Sequence, residues 1–263
     1  MGGVMRVLVA CEYSGRVRDA FLARGHDAMS CDLLPTDVPG PHHQGDVRDV
    51  LGDGWDLMVA HPPCTYLSVS GMHWTSRGLR DPQLTEDALD FVRLLLSAPI
   101  PRIALENPVS VISSRIRKPD QVLQPWWFGE DASKKTCLWL KGLPPLVPSV
   151  PHPPRGWKLV KFSADLLDTE GEPEDCPDCG IDFADCDCYG PTQDGIAYQW
   201  VDGFLFGRPD GEAGKPTWGN QTPSGQNKLG PSPDRWKIRS ATYPAVAEAI
   251  ADQWGGLTLE AVA

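Results

Sequence analysis

MRVLVACEYSGRVRDAFLARG, residues 5 to 25, is the stretch on which the fold turns. Arg6 to Ala10 is a short apolar run rich in valine, which reads as a buried strand. From Gly15 the apolar residues take helical spacing through Val17, Ala20 and Phe21, and Gly25 stops the pattern. A strand that turns within five residues into a helix opens a βα unit. The same alternation continues outward. His26 to Asp32 reads as a second strand ending in an acid, and Asp46 follows a short turn-rich stretch. Asp56 to Ala60 is a strand, Thr85 to Leu96 an amphipathic helix capped by Thr85, and Arg102–Leu105 and Cys137–Leu140 are further strands. Strands alternating with helices predict an α/β fold with a largely parallel sheet covered on both faces.

From about Leu143 the texture changes. Six prolines between 144 and 154 make an extended connector, followed by an acidic cysteine segment and the polar loop 215–228. Pro244 to Gly255 returns to a clear helix, with Pro in its first turn and Gly at its end. No run approaches the roughly 18 apolar residues of a membrane span, and Met5–Ala10 is too short for the apolar core of a secretory leader. A cytoplasmic protein is expected, in which eight cysteines point to metal binding or catalysis more than to disulfides.

The formal net charge of −11 argues at first against a nucleic-acid partner. Residues 162 to 207, however, hold no Lys or Arg and twelve acids, leaving 24 basic and 23 acidic residues elsewhere. Phosphate would be repelled by that one segment and not by the remainder.

In open α/β sheets ligands bind beyond the carboxyl ends of the strands. Cys11-Glu12-Tyr13-Ser14-Gly15 follows the first strand, Asp32 ends the second, Pro62-Pro63-Cys64 follows the strand at 56–60, and Glu106-Asn107-Pro108 follows the strand at 102–105. Two prolines form a stiff stalk behind which the thiol is held. Glu12 and Ser14 stand where glycines would favour a pyrophosphate, which suits a nucleoside without phosphates; Asp32 is placed to bind ribose hydroxyls. A thiolate, a carboxyl and an amide at one rim match one reaction well. Thiolate addition at C6 of cytosine makes C5 nucleophilic, and a carboxyl supplies the proton or hydrogen bond that N3 needs. His61 lies three residues from Cys64, but the proline stalk separates that pair and no oxyanion motif accompanies it, which weighs against a cysteine hydrolase.

These residues resemble the motifs of the C5-cytosine DNA methyltransferase family, in particular its compact phage-encoded branch. Pro62-Pro63-Cys64 is similar to the family's Pro-Cys nucleophile motif and Glu106-Asn107-Pro108 to its Glu-Asn-Val motif. Residues 7–15 resemble its S-adenosylmethionine loop, and Ile238 to Ala251 its closing helix. The resemblance implies a Rossmann-like, doubly wound class I methyltransferase domain over 1–142 and 234–263, with 143–233 as a small target-recognition region. It implies Cys64 as nucleophile, Glu106 as the group that protonates N3, and Asn107 as the residue that orients the base. Lys135, within Ser133-Lys134-Lys135-Thr136-Cys137, would replace an arginine of the family at the cytosine carbonyl. S-adenosylmethionine would lie against Cys11, Glu12, Tyr13, Ser14, Gly15, Asp32, Leu33, Asp46, Val47, Pro62 and Ser240. The family's Gly-Asn pair stands here as Arg239-Ser240. A cation there would favour a carboxylated S-adenosylmethionine over the plain donor, unless it points outward to phosphate.

Cys176, Cys179, Cys186 and Cys188 place four thiols within thirteen residues, which reads as a structural zinc knuckle. The partner expected is DNA presenting a flipped or single-stranded cytosine, with a free deoxycytidine nucleotide as the alternative substrate. Loop 217–228 with Arg115, Arg117, Lys118, Lys228, Arg235 and Lys237 offers amides and cations for bases and phosphates, while Trp126-Trp127 reads as core. A non-catalytic zinc-binding interaction protein on the same scaffold is the remaining alternative.

Overall fold

A computed structural model describes residues 3–150, 158–159, 196–201, 204–209, 218–222 and 227–257. The chain divides into two units. One comprises Met1–Gln124, Lys134–Val147 and Pro233–Ala263, the other Pro125–Ser133 and Pro148–Ser232.

The first unit is built on β1 (Arg6–Ala10), α1 (Arg16–Ala23), β2 (Asp27–Asp32), β3 (His42–Gln44), β4 (Leu57–Ala60), α2 (Val69–Ser76), α3 (Gln83–Leu96), β5 (Arg102–Pro108), α4 (Ile112–Arg115), β6 (Gln121–Leu123) and β7 (Thr136–Lys141). Seven strands form one sheet in the order β3-β2-β1-β4-β5-β7-β6. Pairing is parallel from β3 across to β5 and antiparallel on both sides of β7. The fold is α/β as expected, with a sheet more mixed than the strand–helix alternation implies.

Both sheet faces are buried, which is why the strands are apolar without alternation. Leu8, Ala10, Met58, Ala60, Ile103, Leu105 and Trp139 cluster with Leu89, Val92 and Leu95 of α3. The intervening Val7, Val9, Leu57, Val59 and Ala104 are equally buried. Each such large side chain contributes roughly 1.5–3 kcal/mol of burial. α1 packs on β1, β2 and the last helix, which is interrupted: α5 (Arg235–Ser240) precedes α6 (Pro244–Gly255). Arg24 of α1 pairs with Glu248 and Asp252 of α6, drawing the Asp252 carboxyl below its ordinary pKa.

Two local expectations are corrected. α3 begins at Gln83, so Thr85 is not its cap; its hydroxyl lies inside the helix and donates to the Tyr66 carbonyl at 3.2 Å. β5 runs on through Glu106-Asn107-Pro108 instead of ending at Leu105. β4 stops at Ala60, opposite Leu105, so beyond it β5 pairs on one side only, with β7. A proline is tolerated there because no partner on the other side needs its N–H.

In the second unit β8 (Lys158–Leu159), β9 (Ile196–Val201) and β10 (Phe204–Pro209) form an antiparallel sheet in the order β8-β10-β9. Trp126 stacks on Trp218 at 5.6 Å with the rings 8° apart, and both are half-buried. Asn220 bonds the Ser133 backbone at both its N–H and its carbonyl.

Candidate active site

β1 lies between β2 and β4, so the strand order reverses there and a crevice opens beyond the carboxyl ends of β1 and β4. Residues 11–15 leave β1 on one side, and His61-Pro62-Pro63-Cys64 leaves β4 on the other. The His61 N–H donates to the Ala10 carbonyl at 2.9 Å and keeps the two exits together. Buried Asn107 donates from Nδ2 to the Pro62 carbonyl at 2.9 Å. The Cys64 carbonyl accepts from the Leu67 and Ser68 N–H groups, and Ser68 caps α2 through Oγ. Val111 N–H reaches the Leu67 carbonyl, tying the loop to the chain after β5. The Cys64 backbone is therefore fixed on several sides while the residue itself stays exposed.

Glu106 stands on β5 beside this loop, its side chain 18% exposed. Burial pushes its carboxyl pKa up, but the His61 hydrogen bond, the charge of Lys134 and a hydrogen bond from Thr136 outweigh that and leave it lowered. His61 Nδ1 lies 3.3 Å from Glu106 Oε2. The Cys64 thiol is shifted the other way: desolvation and the Glu106 charge raise it, against the opposing pull of Lys134 and Arg239. At neutral pH the site rests as a thiol beside a carboxylate. The carboxylate can take the sulfur's proton as the thiol attacks and then give it to a substrate.

The β1 exit carries the residues expected to bind a nucleoside. Glu12 is buried, and its carboxylate accepts from Val17 N at 2.8 Å, Arg18 N at 3.3 Å and Ser14 Oγ at 3.1 Å. The amides that would hold a phosphate at the start of α1 are thereby filled by the chain's own carboxylate. Gly15 adopts φ +73°, and a Cβ there would strike the buried Arg18 guanidinium. The Tyr13 hydroxyl meets Ser240 Oγ and the Lys237 carbonyl, both at 3.0 Å, so α5 closes over this turn. Cys11 also has positive φ, at 58°, and desolvation raises its thiol; the buried Cys31 thiol is pushed up to about 12 by desolvation, with Asp32 and Asp46 adding to it. Asp32 ends β2 with Oδ1 accepting from Leu34 N at 2.9 Å, its pKa raised by burial, and Leu33 is 74% exposed beside it. Val47 is buried. The Asp46 carboxylate is engaged by Arg48 through both its N–H and its guanidinium, which lowers its pKa. A cleft of about 390 Å³, lined by Tyr13, Ser14, Arg16, Asp37, Lys237 and Ile238 among others, lies beside Tyr13 and does not include Cys64 or Glu106.

Cys64, Pro62, Glu106 and Asn107 thus come together as anticipated. Lys135 does not join them: it is exposed, and its charge acts on Cys137, whereas half-buried Lys134 acts on both Cys64 and Glu106. Lys134 Nζ also holds the Arg239 carbonyl at 3.1 Å. Asn107 faces the loop that carries Cys64 through Pro62. The role of His61 toward Glu106 and that of Thr136 went unread in the sequence; a titratable residue directly before the proline pair was the available signal. Arg115 pairs with Glu86, and Arg117 with Asp120. Cys176, Cys179, Cys186 and Cys188 lie outside the described residues, as do Thr217 and residues 223–226 of the polar loop. Among the described residues no group of His, Cys, Asp and Glu could hold a metal, and no helix is long and apolar enough to cross a membrane.

No protein-family model matches the sequence, and no curated protein matches it.

Proposed function

We propose that the protein transfers a one-carbon unit to C5 of cytosine in DNA through a covalent bond between Cys64 Sγ and C6. The observation that carries this reading is the Cys64–Glu106 pair: an exposed thiol on a proline stalk, braced by Asn107, whose titration is coupled to a half-buried carboxylate on the adjacent strand. S-adenosylmethionine, when bound, supplies an electrophilic methyl on a sulfonium. The β1 exit fits such a phosphate-free nucleoside, because Glu12 fills the α1 amides and Asp32 and Leu33 offer a carboxylate and an apolar surface.

The chain's own part is proton and sulfur chemistry. Glu106 takes the Cys64 proton as the sulfur lone pair bonds to C6. The ring electrons move to N3, which receives that proton from Glu106, leaving an enamine-like C5. After C5 has taken up the carbon unit, its hydrogen leaves as a proton, the Sγ–C6 bond breaks and N3 returns its proton through Glu106 to the sulfur. One proton is released per transfer. A base inside a duplex cannot reach Cys64, so the cytosine must be flipped or single-stranded.

The charges of Lys134 and Arg239 at the thiol favour a second reading in which the donor is carboxylated or the substrate is a deoxycytidine nucleotide. Incubation with DNA and labelled S-adenosylmethionine, followed by digestion to nucleosides, separates these. Label on deoxycytidine supports the first reading. Label only with a carboxylated donor, or only on free nucleotide, supports the second. Partner binding without transfer under any of these conditions would leave a non-catalytic scaffold.

A further inference from the structure

The geometry of His61 is not explained by the steps above. Its backbone is fixed by the bond to Ala10, its side chain is 11% exposed, and Nδ1 lies 3.3 Å from Glu106 Oε2. Its other nitrogen, Nε2, is buried and has no hydrogen-bond partner among the described residues. A buried N–H without an acceptor is rarer than an unfilled acceptor. The ring therefore keeps its proton on Nδ1 and donates it to the carboxylate.

We infer that His61 is the positioning residue of the Glu106 carboxyl: Nδ1–H occupies Oε2, fixes the orientation of the group and keeps it an acceptor that can carry the proton between Cys64 and the pyrimidine. This rests on the proposed cytosine chemistry. The other charged and titratable groups bearing on the pair are Lys134, which precedes β7, the buried Cys137 thiol of β7, and Cys64 itself; the Thr136 hydroxyl also bonds Glu106, and Arg239 of α5 bears on Cys64. The lowered pKa of Glu106, held down against desolvation first by the His61 bond, agrees with this arrangement. His61 neither gains nor loses a proton in the cycle. The proton leaves Sγ, passes through Glu106 to N3, and returns by the same route.

Removing the donor has a defined sign. Without Nδ1–H the Glu106 pKa rises, so the carboxyl is already protonated at a pH where the intact protein holds it ionised and cannot accept from the thiol. The acid limb of C5-hydrogen exchange from tritiated cytosine in DNA, followed without turnover of donor, is expected to move upward by roughly one pH unit in His61→Ala, the effect of one lost hydrogen bond. His61→Asn, whose amide nitrogen lies as far from Cβ as Nδ1 does, is expected to restore the limb. His61→Phe keeps the ring volume without the donor and replaces alanine if that variant unfolds. The titration of the Glu106 carboxyl carbon by NMR, assigned with Glu106→Gln, should shift in the same sense and needs no catalysis. An unchanged carboxyl titration in His61→Ala or His61→Phe, or an Asn variant as displaced as they are, overturns the inference. If Cys64→Ser keeps full transfer activity, it is the cytosine chemistry that fails, whatever the carboxyl titration reads.

Discussion

Asn107→Ala removes the one side-chain bond that holds the proline stalk from β5. The 2.9 Å bond from Nδ2 to the Pro62 carbonyl is lost, and that carbonyl is left without its donor. Part of the cost returns, because Asn107 Oδ1 is itself buried without a partner among the described residues and disappears with the side chain. The net destabilisation should be about 1–2 kcal/mol, a fall of roughly 3–6 °C in Tm for a chain of this size. The effect on chemistry should be larger than that on stability. A thiol displaced by about 1 Å from its attack position loses on the order of 10²-fold in rate. Asn107→Asp keeps the shape but turns an acceptor toward the Pro62 carbonyl and adds a second carboxylate beside Glu106. It should be less stable than the alanine variant at neutral pH and recover as the pH is lowered. Differential scanning calorimetry reads the first effect. The rate of Cys64 adduct formation with 5-fluorodeoxycytidine DNA reads the second. An alanine variant that forms adduct within about twofold of the wild-type rate would refute a positioning role for Asn107.

Further outcomes follow from the same geometry. Among the four described cysteines Cys64 is the exposed one, so iodoacetamide should modify it ahead of Cys11, Cys31 and Cys137, with peptide mapping as the check. Its raised pKa means that alkylation climbs only at alkaline pH; Glu106→Gln removes a charge that raises the thiol and should speed alkylation at pH 8, while Lys134→Ala should slow it. Glu12→Ala leaves two amides and the Ser14 hydroxyl without their acceptor in the interior and should cost about 1–3 kcal/mol in chemical denaturation, with Glu12→Gln losing less. The thiols at 176, 179, 186 and 188 should bind about one zinc per chain by elemental analysis, lost in Cys179→Ser.

What the sequence discloses here depends on how local the deciding contacts are. β1, α1, β2 and α6 lie where apolar spacing and glycine or proline punctuation put them, because burial on both sheet faces writes itself into consecutive residues. β3 and β6 are three residues each, the first wholly polar, and α2 has no apolar stripe, so nothing periodic announces them. The extension of β5 through Glu106-Asn107-Pro108 is hidden by its composition and explained by its one-sided pairing with β7. At the site, Cys64 follows the end of β4 as its sequence reads, whereas Glu106 and Asn107 lie within β5 and not beyond it. Lys134 is not legible in the sequence: Ser133-Lys134-Lys135 carries no apolar pattern, and which lysine bears on the crevice follows from the start of β7. The His61–Glu106 contact joins residues 45 apart, which only the neighbouring positions of β4 and β5 bring together.

The most direct test of the central claim is capture of the covalent intermediate. Intact protein is incubated with S-adenosylmethionine, or its carboxylated analogue, and single-stranded DNA containing 5-fluorodeoxycytidine, whose C5 fluorine blocks the final elimination, and the product is mapped by mass spectrometry. The account predicts a stable protein–DNA adduct carried by the peptide containing Cys64 and absent from Cys64→Ser. DNA that is methylated while Cys64 stays free, or an adduct on another residue, would contradict it.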